Sequence, residues 1–229
     1  MIKPACILMD IEGTTTSIDF VHEVLFPYSS AKCESFLLEK RQLRAVEECV
    51  QDAQALIEKE GGSKVPMEKL GSYFLQWIKD DRKVGPLKKL QGLIWKEGYE
   101  QGAYHSHIYD DVKTTWEKWQ NSGIKLAIYS SGSVQAQKLL FAHTTAGDLT
   151  PFLSAYFDTS IGHKREAASY RKISQELGLE ADRILFLSDI PAELNAATDA
   201  GMMASHVVRP GTEDVRYPLT TRSFSELAW

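Results

Sequence analysis

Cysteine is scarce in this chain. Cys6, Cys33 and Cys49 are its full complement in 229 residues. The number is odd and the spacing is not that of a metal site, which argues against a disulfide framework. The three read as free thiols in a reducing compartment. Long apolar runs are missing too: none approaches the ~18 residues that suggest a membrane span. The opening Met1-Ile2-Lys3-Pro4 lacks a signal-peptide pattern, so a cytoplasmic location is expected. Nor is there an excess of positive charge. A net charge of −5 argues against nucleic acid or an anionic membrane as partner. It leaves room for a small phosphorylated substrate, because a local cluster of lysine, N–H groups and metal overrides net charge. There are no internal repeats and no low-complexity segments. With 43% hydrophobic and 25% charged residues the composition is globular, so a sizeable core is available. The length suits one large domain or a domain carrying a smaller one.

The chain changes character twice. From about 21 to 102 the periodicity is helical and no strand is convincing. Val46, Cys49, Val50, Ala53, Leu56 and Ile57 fall on one face of a helix over 43–59. Gly61-Gly62-Ser63 stops it, and Pro66 can open the next helix, which carries Leu70, Phe74, Leu75, Trp77 and Ile78. Gly85-Pro86 breaks the pattern before Leu87, Leu90, Leu93 and Ile94 mark one more helix. After 102, strands alternate with helices, the last strand being expected over 203–208. Such alternation implies a parallel sheet with right-handed crossovers. The first strand, over residues 4–10, belongs with that sheet. The fold class is therefore α/β, with a sheet core over 1–20 and 103–229 and a helical insertion over 21–102.

In such sheets chemistry gathers at the carboxyl ends of the strands. The apolar run Ala5-Cys6-Ile7-Leu8-Met9 ends on Asp10, and Ile11-Glu12-Gly13-Thr14-Thr15-Thr16 follows. Gly13 lets the chain turn and lets backbone N–H groups approach a ligand. Two acids on a bend of small residues suit metal-assisted phosphoryl transfer, one attacking phosphorus and one managing protons. An acid-Gly pair after a strand is also an ordinary turn. A second strand over 124–129 runs into Ser130-Ser131-Gly132-Ser133, a natural anion site. Ser133 reads better as a helix N-cap, and Ser130 as the phosphate ligand. Lys164 precedes a helix, where the macrodipole disfavours it unless an anion lies near. Taken alone it reads as a solvated surface lysine, and His163 beside it receives no role. Leu185-Phe186-Leu187-Ser188-Asp189 again ends a strand on an acid, with Glu193 one helical turn on. Asp10 and Asp189 can converge on one hard cation with oxygen ligands, and Mg²⁺ fits such a site.

Taken in order, Asp10-x-Glu12-Gly13-Thr14-Thr15, strand-end Ser130, Lys164 and Asp189 resemble the four motifs of the haloacid-dehalogenase superfamily of phosphohydrolases. The helical insertion falls where that superfamily carries its first-type cap. Most members have Asp where Glu12 stands. Asp-Ile-Glu-Gly-Thr-Thr-Thr, then Leu25-Phe26-Pro27-Tyr28 and Tyr129-Ser130-Ser131-Gly132-Ser133, is similar to the enolase-phosphatase family of methionine salvage, over nearly the whole chain. The resemblance implies a Rossmann-like core with a helical cap and one Mg²⁺ per chain. It implies a phosphorylated diketone substrate that is enolised and then dephosphorylated. Asp10 would be the nucleophile and Glu12 the general acid and base. Asp10, Asp189 and the Glu12 backbone carbonyl would hold the metal. Ser130 and Ser131 would bind the phosphate, and Lys164 would balance charge. The cap would exclude water and read the methylthio tail. A monomer is expected. Two rivals stay open: another capped phosphatase acting on a different ester, and a phospho-accepting signalling domain, which would not need an ~80-residue insertion.

Overall fold

The computed structural model describes residues 2–227 and 229. The first strand, β1 (Cys6–Met9), is buried along its whole length because it lies in the middle of a parallel sheet. A π-helical turn over 20–25 follows, and then α1 (Phe26–Glu39), α2 (Arg44–Lys59), α3 (Met67–Lys79) and α4 (Gly85–Glu100). The rest alternates: α5 (Asp110–Asn121), β2 (Lys125–Tyr129), α6 (Val134–Ala142), β3 (Leu153–Phe157), α7 (Ala167–Leu177), β4 (Ile184–Ser188), α8 (Pro191–Asp199), β5 (Met203–Val207) and β6 (Thr220–Thr221). The chain divides into two compact units, Met1–Phe20 with His105–Trp229, and Val21–Tyr104.

In the first unit the sheet order is β3-β2-β1-β4-β5-β6, and every pairing is parallel. The chain winds from β1 to β2 and β3, then restarts on the other side at β4. This places the reversal of winding between β1 and β4, where open α/β sheets hold ligands. Met9 pairs with Leu187, so the acids that follow both strands emerge side by side. Alternation sorts the strand side chains onto two faces. Ile7 and Met9 join Trp116 and Trp119 of α5 and Phe141 of α6. Cys6 and Leu8 join Tyr170 and Ile173 of α7 and Leu194 and Ala197 of α8. The expectation that residues 203–208 form the last strand is corrected by β6, whose two residues are too few to show a period.

The second unit is four helices around their own core, including Cys33, Phe36, Val46, Cys49, Ala53, Leu70, Phe74, Trp77 and Leu90. Pro86 sits in the first turn of α4, where its missing N–H costs nothing. The three cysteines are free and buried, and burial pushes each thiol up to about 12, far from reactive thiolate. Among the described residues no helix is long and apolar enough to cross a membrane.

Candidate active site

The turn after β1 is built from its own backbone. The amides of Thr14, Thr15 and Thr16 all donate to the Ile11 carbonyl, at 3.2, 2.9 and 3.0 Å, and the Gly13 amide donates to the Thr16 carbonyl at 2.8 Å. Gly13 takes φ +71°, and a Cβ there would run into Asp189 Oδ2. A side chain is thus excluded twice, by backbone conformation and by the approach of the second acid. The three threonines are fully buried and serve this turn: Thr16 Oγ1 donates to the His107 carbonyl at 2.5 Å.

Asp10 is 3% exposed, and its amide donates to the Leu187 carbonyl at 2.9 Å, tying it to β4. Lys164 Nζ donates to Asp10 Oδ1 at 2.5 Å and lies 2.7 Å from Glu193 Oε2. The reading of Lys164 as a solvated surface lysine is overturned, since it is only 7% exposed. The reason is tertiary. Tyr170 Oη donates to the Lys164 carbonyl at 2.7 Å, and Tyr129 Oη to that of Gly162 at 2.9 Å. These bonds draw the segment onto the sheet end, where two carboxylates wait. Burial alone would lower the lysine's pKa, but the charges of Asp10 and Glu193 outweigh it and hold the ammonium above its ordinary value.

Ser130 ends β2 fully buried. Its Oγ makes a long contact to Glu12 Oε2, at 3.4 Å, and accepts from the Gly132 amide at 3.2 Å. Ser131 is exposed. Ser133 caps α6, its Oγ accepting from the Ala136 amide at 3.3 Å. Asp189 follows β4, and its carbonyl lies 3.1 Å from His206 Nε2. Its carboxyl is pushed up to about 7, first by burial and then by the charge of Asp10. Burial and Asp10 also raise Glu193, against the pull of Lys164.

A family model for haloacid dehalogenase-like hydrolases matches residues 4–201. "Enolase-phosphatase E1" of Drosophila virilis is 49% identical, covering 90% of this chain and 85% of the relative. The protein of the same name from Alcanivorax borkumensis is 51% identical over 85% of each chain. The crystal structure of the UTR4 protein of Saccharomyces cerevisiae superposes with a TM-score of 0.82 at 33% identity, covering 98% of this chain and all of that one. The chain belongs to the haloacid dehalogenase-like hydrolases, in their enolase-phosphatase branch. A wider likeness, to CbbY of Rhodobacter sphaeroides at a TM-score of 0.58 and 16% identity, speaks for the fold alone.

In this hydrolase the site's carboxylates suit a hard cation. Asp189 Oδ1 is buried with no hydrogen-bond partner, and the pairing of β1 with β4 brings Asp10 beside it. Among the described residues no group of three His, Cys, Asp or Glu is arranged to ligate a metal. Mg²⁺ asks for less: one or two carboxylates, with water and substrate phosphate completing the octahedron. The sequence singled out Glu193 by its spacing but assigned it no task; here it is the second anion on Lys164, with Ser188 Oγ donating to the same oxygen at 3.1 Å. His206 and Arg209 were missed. The strand-end rule, applied to β5 as it was to the other strands, would have brought both under inspection.

Proposed function

We propose that the chain is an enolase-phosphatase of methionine salvage. It converts 2,3-diketo-5-methylthiopentyl-1-phosphate, through the 2-hydroxy-3-keto enol phosphate, to the acireductone 1,2-dihydroxy-3-keto-5-methylthiopentene plus phosphate. The observation that carries this reading is the Lys164 ammonium 2.5 Å from Asp10 at the reversal point of the sheet. A carboxylate so placed faces a buried cation and can attack phosphorus, with that cation in position to offset the incoming phosphoryl charge. Relatives about half identical over most of the chain support the narrower substrate.

In this proposal Asp10 attacks the phosphorus and becomes an aspartyl phosphate. Glu12, on the turn two residues away, gives a proton to the leaving oxygen and later takes one from water. Ser130 and Ser131 bind phosphate oxygens, and Glu193 keeps Lys164 aimed at Asp10. Asp10, Asp189 and the Glu12 carbonyl would hold Mg²⁺, which when bound supplies positive charge to the phosphoryl and carbonyl oxygens. The phosphatase chemistry is assigned to 1–20 and 103–229, and the role of cap to 21–102. The chain is taken to act as a monomer in the cytoplasm.

A panel of phosphate esters with Mg²⁺, followed by phosphate release, tests the reading. The diketo phosphate should be turned over in preference to other small esters, and chelator should stop the reaction. Asp10→Asn should abolish phosphate release while the variant still folds, because an amide cannot replace the nucleophile. Release near the wild-type rate by that variant, or preference for an ester that cannot enolise, would sink it.

A further inference from the structure

Arg209 lies two residues past β5, outside every motif named above, yet it is 6% exposed. A guanidinium does not shed its proton, so its burial has to be met by partners. One arm of the side chain serves the C-terminal segment. Nη1 donates to Asp111 Oδ2 at 3.0 Å and to the Arg222 carbonyl at 3.4 Å. Asp111 Oδ2 also accepts from Ser223 Oγ at 2.9 Å and from the Phe224 amide at 2.6 Å. The guanidinium carbon is 4.4 Å from the centre of the Tyr109 ring and 4.7 Å from that of Phe224, contacts that favour a cation there.

The other arm reaches the turn that carries the two acids. Arg209 Nε donates to the Thr14 carbonyl at 3.1 Å. That turn spends the amides of Thr14, Thr15 and Thr16 on the Ile11 carbonyl, so its own carbonyls need outside or crosswise donors. Thr16 takes the Gly13 amide at 2.8 Å, Thr15 takes the Tyr109 amide at 3.2 Å, and Thr14 takes Arg209. Arg209 is the charged donor of the three, and charge-assisted bonds are the stronger ones. Its own short turn presses on the same place. Thr212 Oγ1 lies 2.9 Å from both the Arg209 amide and the Arg209 carbonyl, and Thr212 Cγ2 would sit 3.0 Å from a Cβ on Gly13.

We propose that Arg209 is a positioning residue for the reaction: by clamping the Thr14 carbonyl it fixes the 11–16 turn, and with it the place of Glu12 relative to Asp10 and Ser130. The proposal rests on the function assigned above. It differs from a merely structural role because the two arms are separable. Lysine at 209 keeps a charge opposite Asp111 but lacks the planar fork that reaches two acceptors at once.

The test is Arg209→Lys in the full chain, with Phe224→Leu as comparator. Phe224→Leu loosens the same packing but leaves the guanidinium and its bond to Thr14. Two readouts are taken: hydrogen exchange of the segment 10–16 by mass spectrometry, and steady-state kinetics at saturating Mg²⁺. Arg209→Lys should expose the Thr14–Thr16 amides to exchange about tenfold faster. It should lower kcat by about 10²-fold, the cost of misplacing a reacting group by about 1 Å, with KM nearly unchanged. Phe224→Leu should lower Tm and change neither readout. Wild-type exchange across 10–16 in Arg209→Lys overturns the proposal, as does an equal fall of kcat in Phe224→Leu. If Arg209→Lys does not fold, the pair Arg209→Gln with Asp111→Asn, which removes both charges together, is read in the same way. Failure of the assigned function would show separately, as a wild-type chain that does not turn over the diketo phosphate, and the exchange readout would still decide the role of Arg209.

Discussion

Asp189 holds its proton because burial and the neighbouring Asp10 charge both oppose ionisation, raising its pKa from 3.8 to about 7. A carboxyl raised in the folded state binds its proton more tightly there than in the unfolded chain. Its contribution to stability is therefore complete below about pH 4 and is lost as pH rises through about 7. Metal-free protein should lose stability across that window, and Glu193, raised for the same reasons, should add to the loss. A cation relieves the repulsion only when Asp189 is ionised. The rise in Tm on adding Mg²⁺ should thus be larger at pH 8 than at pH 5.5. A metal-induced shift that is equal at the two pH values would contradict the placement of Asp189 at the cation site. At this scale the sequence was informative wherever a polar residue followed the end of a strand, as at Asp10, Ser130 and Asp189. For Lys164 the local reading, a solvated surface lysine, pointed the wrong way, because its burial comes from Tyr170, Tyr129 and two distant carboxylates. Nothing in the residues around Lys164 encodes those neighbours. Arg209 could have been flagged by its place just past β5, but not its role, since its partners Thr14 and Asp111 lie far away in sequence.

Among the elements, the β1 turn is the one on which the site depends most. Its shape needs a residue at φ +71° with no Cβ, because Asp189 comes so close. Gly13→Ala should cost about 1 kcal/mol or more from backbone strain and should push Asp189 aside. The Mg²⁺ concentration for half-maximal activity should rise by roughly tenfold, the factor equivalent to ~1.4 kcal/mol of weakened binding. A metal titration checks this, and a wild-type midpoint in a folded Gly13→Ala variant would mean that the close approach is not functional. The helices are legible to within a few residues where the period is long: α2 is expected over 43–59 and runs Arg44–Lys59. Their amphipathic faces are long enough to fix a period. The start of α1 at Phe26 is harder to read, because a π-helical turn over 20–25 leads into it and blurs the pattern. The strand β6 is paired through only His206 to Thr220 and Val207 to Thr221, which leaves no run to read.

On the scale of the whole molecule, the four-helix unit interrupts the sheet unit directly after its first strand. The interruption falls between the 10–16 turn and Ser130, Lys164 and Asp189, and it is the pairing of β1 with β2 and β4 that brings Asp10 and Glu12 beside them. That order was visible in the sequence as a switch from one period to another and back. One site is assigned two reactions, and in the proposed scheme Glu12 is the residue at which they part. Cleavage needs a proton on the leaving oxygen and a base for water, tasks worth typically ~10²–10⁴-fold. Enolisation needs a polarised carbonyl and a base that Glu12 need not supply. Glu12→Gln retains the backbone carbonyl assigned to the metal. The most direct measurement is therefore a time course of Glu12→Gln on the diketo phosphate, following ultraviolet absorbance and phosphate together, with a metal titration of the same variant. The expected result is an absorbing enol phosphate that accumulates without matching phosphate release. Equal loss of both activities, with Mg²⁺ binding intact, would contradict the assignment of Glu12 to the cleavage step alone.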